Sequence, residues 1–367
     1  MSVRRRSVLP VLLPALLALA GLSGGPTPPR TAVAAPAPPA RDGRTLARPA
    51  PQLVPVRFGS PQAISDAGIF LGRERGYFRE LGLDVDVTPF QSGPDTIPAL
   101  ASGDIETAGG TISTALLNAV ERGITLKMVA DKGTGRPGFE FTQVVVRRDL
   151  LDSGQVRDVT DLRGRRVAVA SLRSGAESLV AHVLARGGVG IDEVDLVPLG
   201  YPDMLVAFGN RNIDAANVIE PSLSAGVERG VLSTWEQGQS APAYGGVYQA
   251  ATVVISGRFA AQMDLARRFL VGYLRGVRVY NDAFVKGEGR AAVVQTLIDN
   301  TAVKDPLAYD RMNLAGLDPD GRIARQALQL DVDYFRRMGY YTGPTTLDDL
   351  IDTSFAEYAV QQLGPYQ

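Results

Sequence analysis

The sequence predicts an α/β protein of two lobes, and three observations carry that expectation. Of its 367 residues, 45% are hydrophobic and 21% charged, the balance of an ordinary globular protein long enough for two domains. From Pro55 onward, short β-rich runs alternate with helix-period stretches, the rhythm of a mainly parallel sheet with helices on both faces. That rhythm then repeats from Gln143 and ends in a mostly helical tail.

The first half reads as follows. Val56-Arg57-Phe58-Gly59 is a strand ending at glycine, and Asp66 to Leu81 a helix stopped by Gly82. Leu83 to Val87 alternates apolar and acidic residues, a half-buried strand. Asp95 to Ser102 is a short helix, Thr107 to Gly109 a strand, Ser113 to Arg122 a helix closed by Gly123, and Leu126 to Ala130 a strand. In the second half, Gln143 to Val146, Arg165 to Ala170, Val194 to Leu199 and Ala215 to Ile219 are strands. Ala176 to Arg186 is a helix ended by Gly187-Gly188, and Pro221 sits at the first position of a helix ending at Gly230. After the strand Val253 to Ile255, the helices are Asp264 to Lys286, Arg290 to Asn300, Arg325 to Met338 and Leu347 to Gln362.

The residues before Val54 read as an address and a tether. Arg4, Arg5 and Arg6 precede an apolar run from Val8 to Leu22, interrupted by Pro10 and Pro14. Crossing a bilayer takes about 20 apolar residues, so the run suits a secretory signal, residues 1–34, with Ala32-Val33-Ala34 as its cleavage site. Arg5-Arg6-Ser7-Val8-Leu9 fits twin-arginine export as well as the general route. Residues 35–53 are a Pro/Ala-rich linker with too few large apolar side chains to offset the entropy of ordering. The folded part is expected over 54–364.

Composition excludes much chemistry. There is no cysteine and one histidine, His182, which removes disulfide frameworks, thiolate metal sites and thiol catalysis. The formal charge of −1, without a basic block, is no nucleic-acid footprint. No G-x-S-x-G elbow occurs in the part expected to fold, and no HExxH or Walker sequence occurs anywhere. His182 lies mid-helix and reads as structural, and no cofactor is expected.

Ligands of open parallel sheets bind beyond the carboxyl ends of strands. Four turns occupy such positions: Gly59 to Gln62 with Ser60, Gln91 to Pro94 with Ser92 and Gly93, Gly109 to Ser113 with Gly110 and Thr111, and Ser171 to Gly175 with Ser174. Each offers hydroxyls and backbone N–H groups at a helix start, a suitable place for anions or polar groups, and equally for ordinary helix caps. Arg173 has the fork to grip a carboxylate or sulfonate, or is a solvated surface arginine; Lys132 is a weaker instance of the same. Phe139, Phe141, Tyr201, Tyr244 and Tyr248 are candidates for stacking on a planar ligand or for the core. Asp203 and Glu220 are candidate acceptors for ligand N–H or O–H groups, or first-turn residues of helices.

The motif order then resembles a known family. Arg75-Gly76-Tyr77-Phe78, Gly82-Leu83-Asp84-Val85 and Ala99-Leu100-Ala101-Ser102-Gly103-Asp104-Ile105 resemble the G-Y-F…G-L-x-V…A-L-x-x-G-x-x-D pattern of exported solute-binding proteins of ABC importers, the nitrate/sulfonate/taurine and thiamine-precursor group (SsuA/THI5-like, NMT1). Asp161-Leu162-Arg163-Gly164-Arg165 and Asp214-Ala215-Ala216 with Glu220-Pro221 resemble that family's second-lobe segments. The resemblance implies a two-lobed type II periplasmic-binding-protein fold with a hinged cleft. Residues 54–142 with 250–364 would form lobe I and 143–249 lobe II, the chain crossing near Gln143 to Val146 and Ala250 to Ile255. It places ligand contacts on the four turns: Ser60 to Gln62, Ser92-Gly93, Gly110 to Ser113 and Ser171 to Gly175. A serine, Ser23, stands where lipid-anchored relatives carry a lipobox cysteine, so an unanchored periplasmic or extracellular protein is expected. Thiamine-precursor synthases of this fold need a cysteine-rich motif and an active-site histidine that this sequence lacks.

The implied function is capture of a small polar organic anion or heteroaromatic molecule by lobe closure, without catalysis. The implied partners are an ABC permease and its ATPase, with the binding protein a monomer. Two alternatives stay open: a cleft enzyme using Asp203 and Glu220 as acid and base, and a ligand-sensing partner of a membrane receptor.

Overall fold

The computed structural model describes residues 52–301 and 303–367; the expected export signal and nearly all of the linker lie outside the described residues. In chain order the strands are β1 (Val54–Ser60), β2 (Leu83–Pro89), β3 (Thr107–Gly110), β4 (Leu126–Gly135), β5 (Thr142–Arg147), β6 (Arg166–Val169), β7 (Asp195–Pro198), β8 (Ala215–Ile219), β9 (Leu232–Ser233) and β10 (Tyr248–Ser256). They form two five-stranded sheets, ordered β2-β1-β3-β10-β4 and β7-β6-β8-β5-β9. The chain leaves the first sheet after β4 and returns to it as β10.

Burial explains the order within each sheet. In β2, Leu83 and Val85 face inward while Asp84 and Asp86 are exposed, which suits an edge strand with one wet face. The four residues of β3 and the first four of β8 are buried, and both strands lie inside their sheets.

The expectation of mainly parallel sheets needs correction. β1 runs parallel to β2 and β3, and β6 parallel to β7 and β8. β10 is antiparallel to β3 and β4, and β5 is antiparallel to β8 and β9. β5 and β10 are the strands that enter from the other sheet, and each runs in reverse between two antiparallel neighbours, one place in from an edge.

Helix ends also differ in places. The stretch Asp66 to Leu81 is two helices, Ala67–Glu74 and Tyr77–Glu80, because Gly76 between them takes a left-handed φ of 74°. Leu347 to Gln362 likewise divides into Leu347–Leu350 and Ser354–Leu363. Pro221 precedes helix Ser222–Glu228 instead of opening it. Helix Tyr201–Gly209 was not expected at all; its start signals are Gly200, Pro202 and first-turn Asp203.

The longest helix, Met263–Phe284, buries Phe269, Tyr273, Val277 and Tyr280, spaced for one face. It lies so close to helix Ala67–Glu74 that a Cβ at Gly276 would meet the Gly68 carbonyl oxygen at 2.0 Å. A second apolar cluster runs continuously from Leu116 and Leu117 through Leu328 and Val332 to Leu179 and Val183. The helical tail thus ties the two sheets together along one side. His182 belongs to this region: its ring lies 4.6 Å from that of Tyr244, its Nδ1 is 2.8 Å from the Ser178 carbonyl, and burial lowers its pKa. Among the described residues no helix is long and apolar enough to cross a membrane.

Candidate functional site

Because β1 and β2 run parallel, their carboxyl ends open at one edge of the first sheet, and β8 presents its own carboxyl end from the second. A cavity of about 630 Å³ lies between these ends. Its first wall is built from Gln62 after β1, Phe90 and Gln91 after β2, and Asp95. Its second wall is built from Tyr201, Pro202 and Asp203 at the start of helix Tyr201–Gly209, with Ile219 at the end of β8 and Ser222 after it.

Local chemistry shapes each wall. The Ser60 hydroxyl donates to Asp66 Oδ2 at 2.6 Å and accepts the backbone N–H of Gln62 at 2.7 Å. Ser60 therefore braces the turn from inside, while Gln62 is held at a left-handed φ of 56° on the cavity rim. The Ser92 hydroxyl donates to Asp95 Oδ2 at 2.7 Å, fixing that carboxylate on its turn. Across the mouth, Gln91 lies against the bare backbone of Gly200, where a Cβ would meet Gln91 Oε1 at 2.4 Å. Burial pushes the Tyr201 phenol above its ordinary pKa.

The other two turns meet each other and do not line this cavity. The N–H of Gly175 donates to the Ile112 carbonyl at 2.9 Å, and that of Thr114 to the Arg173 carbonyl at 3.1 Å. Ser113 and Ser174 form an antiparallel bridge between them. Ser113 also caps its own helix, accepting from the Leu116 N–H at 3.2 Å, and the Ser174 hydroxyl donates to the Ser171 carbonyl at 2.7 Å. Tyr248 completes the clasp, donating to the Gly175 carbonyl at 2.9 Å. Gly93 and Gly110 pack backbone to backbone beside it. Behind the clasp, Thr111 Oγ1 and Asp331 Oδ2 are buried without a hydrogen-bond partner.

Of the residues singled out from sequence, Gln62 and Tyr201 line the cavity, as does Asp203 among the acceptors weighed. Lys132 is corrected: its ammonium is buried in an ion pair with Asp66 at 2.9 Å and donates to Ser65 Oγ at 3.0 Å. Glu220 is fully buried, its carboxylate accepting from the N–H and hydroxyl of Ser224 and the N–H of Asn313. Burial pushes its pKa up to about 7. Arg173 is exposed with its guanidinium 5.2 Å from the Tyr340 ring, and Phe139 sits on a turn under Arg136 at 4.5 Å. Phe141 is core, and Tyr244 donates to Asp331 Oδ1. Phe90, Asp95, Ile219 and Ser222 were missed. Phe90 and Ile219 carry no signal beyond their place at strand ends.

The electrostatic balance of the cavity is one-sided. Among the described residues that line it, Asp95 and Asp203 stand on opposite walls and there is no Lys, Arg or His.

Comparison with known proteins matches residues 64–282 to the family model described as NMT1/THI5 like. A binding protein of Brucella abortus (strain 2308) is 27% identical over 169 residues, 46% of this chain and 49% of that protein. The taurine-binding periplasmic protein of Escherichia coli (strain K12) is 28% identical over 163 residues, 44% of this chain and 47% of that protein. The chain thus spans about half the length of the curated relatives it matches. Among solved structures, the alkanesulfonate-binding protein SsuA from Xanthomonas axonopodis pv. citri, bound to MOPS, superposes with a TM-score of 0.65 at 19% identity. That match covers 82% of this chain and 99% of the other, and shows a shared two-lobed periplasmic-binding-protein fold.

Proposed function

Since the chain belongs to the NMT1/THI5-like family, we propose that it is the exported solute-binding component of an ABC importer, which captures one small polar molecule between two lobes. The observation that carries this reading is the 630 Å³ cavity walled by strand ends of both sheets. Its volume suits a small metabolite, and a solute touching both walls gains more in the closed form than in the open one. That difference in affinity shifts the population toward closure, and a permease with its ATPase then receives the closed shape.

The lobes in this reading are residues 54–142 with 250–364, and 143–249; support comes from β1 to β4 and β10 sharing one sheet and β5 to β9 the other. The hinge lies in the segments between β4 and β5 and between β9 and β10. The chain acts as a monomer, delivered by residues 1–34 to the periplasm or cell exterior and spaced by 35–53. The solute is of the size of taurine or an alkanesulfonate, or a small heteroaromatic ring. A binding role is favoured over catalysis because the Glu220 carboxylate, one half of the only acid–base pair weighed, is already occupied by Ser224 and Asn313.

A thermal-shift screen of small solutes tests the reading, since a ligand of the folded state raises Tm. A saturable, solute-specific rise is expected; a panel in which no small solute moves Tm overturns it.

A further inference from the structure

The charge of the cleft carries a statement about its ligand that rests on the solute-binding reading. Asp95 approaches from the first wall and Asp203 from the second. Asp95 is held by the Ser92 hydroxyl at 2.7 Å, and Asp203 lies in the first turn of helix Tyr201–Gly209. Both carboxylates are exposed on the cavity lining, and a positive group between them gains from both. Lys132, beneath the turn after β1, supplies no free charge because Asp66 neutralises it. The same cavity is lined by Phe90 and Tyr201, one aromatic on each wall, and aromatic faces attract cations and flat rings.

We propose that the cleft selects a small cationic molecule, an ammonium or protonated nitrogen on a compact ring-bearing scaffold, and rejects nitrate and sulfonates. Bound to either wall alone the ligand gains one carboxylate, and bound between them it gains two. Its affinity is highest in the closed form for that reason, so the selection of charge and the closing of the cleft have one cause. Asp95 and Asp203 also stand where helix starts ordinarily carry aspartate. Asparagine keeps the helix start while removing the charge, so the two roles separate experimentally.

The test is a thermal-shift screen of ring-bearing solutes of matched size in cationic, neutral and anionic sets, with nitrate and methanesulfonate included. Calorimetry on the tightest hit follows, with wild type, Asp95→Asn, Asp203→Asn and Tyr201→Ala. The expected hit is a cation whose Kd rises about tenfold or more in each asparagine variant and rises with added salt. A cation that binds equally to wild type and both asparagine variants overturns the proposal. An anionic or neutral hit that weakens in Tyr201→Ala also overturns it, while leaving the solute-binding reading in place. No hit of any charge overturns both.

Discussion

The ammonium of Lys132 lies 2.9 Å from the carboxylate of Asp66, with both side chains almost wholly out of solvent. The pair joins β4 to the turn after β1, where Asp66 also receives the Ser60 hydroxyl and the N–H of Ala63. Lys132 therefore braces the turn after β1 and is not among the residues that line the cavity. Lys132→Ala leaves a buried carboxylate without its partner and is expected to cost about 3–5 kcal/mol. The double change Lys132→Met with Asp66→Asn recovers part of that. Urea unfolding of the three proteins checks both statements; a neutral Lys132→Ala contradicts the structural role.

Gly93 and Gly110 approach so closely that a Cβ on Gly93 would lie 2.5 Å from the Gly110 Cα and 2.8 Å from the Thr111 nitrogen. Both obstacles are backbone, so no rotamer change relieves them. Gly93→Ala is expected to push the two turns apart at a cost of about 1–3 kcal/mol and to weaken solute binding by moving Asp95. Thermal unfolding and the solute titration measure the two effects together. An alanine variant with unchanged Tm contradicts the close contact.

Two buried carboxyls give the fold an unusual pH dependence. Burial pushes Glu220 and Asp331 each up to about 7, against about 4 in an unfolded chain. Between those values the folded protein holds protons that the unfolded chain has released, so stability falls as pH rises through this window. Asp331 faces the Tyr244 hydroxyl from the segment before β10 and Ser178 from helix Gly175–Ala185. Tm is expected to be several degrees higher near pH 5 than near pH 8, and Asp331→Asn to reduce the difference, Glu220 and the buried Asp131 keeping the rest. A scan of Tm against pH that rises toward pH 8 contradicts this.

The alternation of short apolar runs with helical stretches placed nearly every strand, because a buried strand and an amphipathic helix each leave a period in the sequence. Reversal of β5 and β10 left no such mark: Val144 and Val253 look alike in a parallel or an antiparallel ladder, and direction is set by where the chain comes from. At the site, local chemistry identified the turns but not their partners. Ser113 and Ser174 look like ligand-facing hydroxyls until the turns that carry them are seen bridged to each other. Lys132 looks like a free cation until Asp66, distant in sequence, is found beside it. Phe90 follows a strand like many core aromatics, and only the meeting of two sheets turns it into a cavity wall. Pairings between distant segments decided each of these.

Tyr201 is the wall residue best suited to report occupancy, since it opens helix Tyr201–Gly209 and lines the cavity without bracing a turn. Tyr201→Ala is expected to leave the unliganded protein's stability within about 1 kcal/mol of wild type, the range of a change at a partly exposed position. It is expected to weaken the screened solute about tenfold or more. Equal affinity in calorimetric titrations of the two proteins contradicts the placement of the site.

The most direct measurement is a crystal structure of the protein with the tightest solute from the charge-sorted screen. The solute is expected in the cavity, touching Phe90 or Gln62 on one side and Tyr201 on the other, with its positive group between Asp95 and Asp203. A solute seated elsewhere, such as in the groove beside Tyr244 and Leu330, with the cleft between the sheets left to water, contradicts the account.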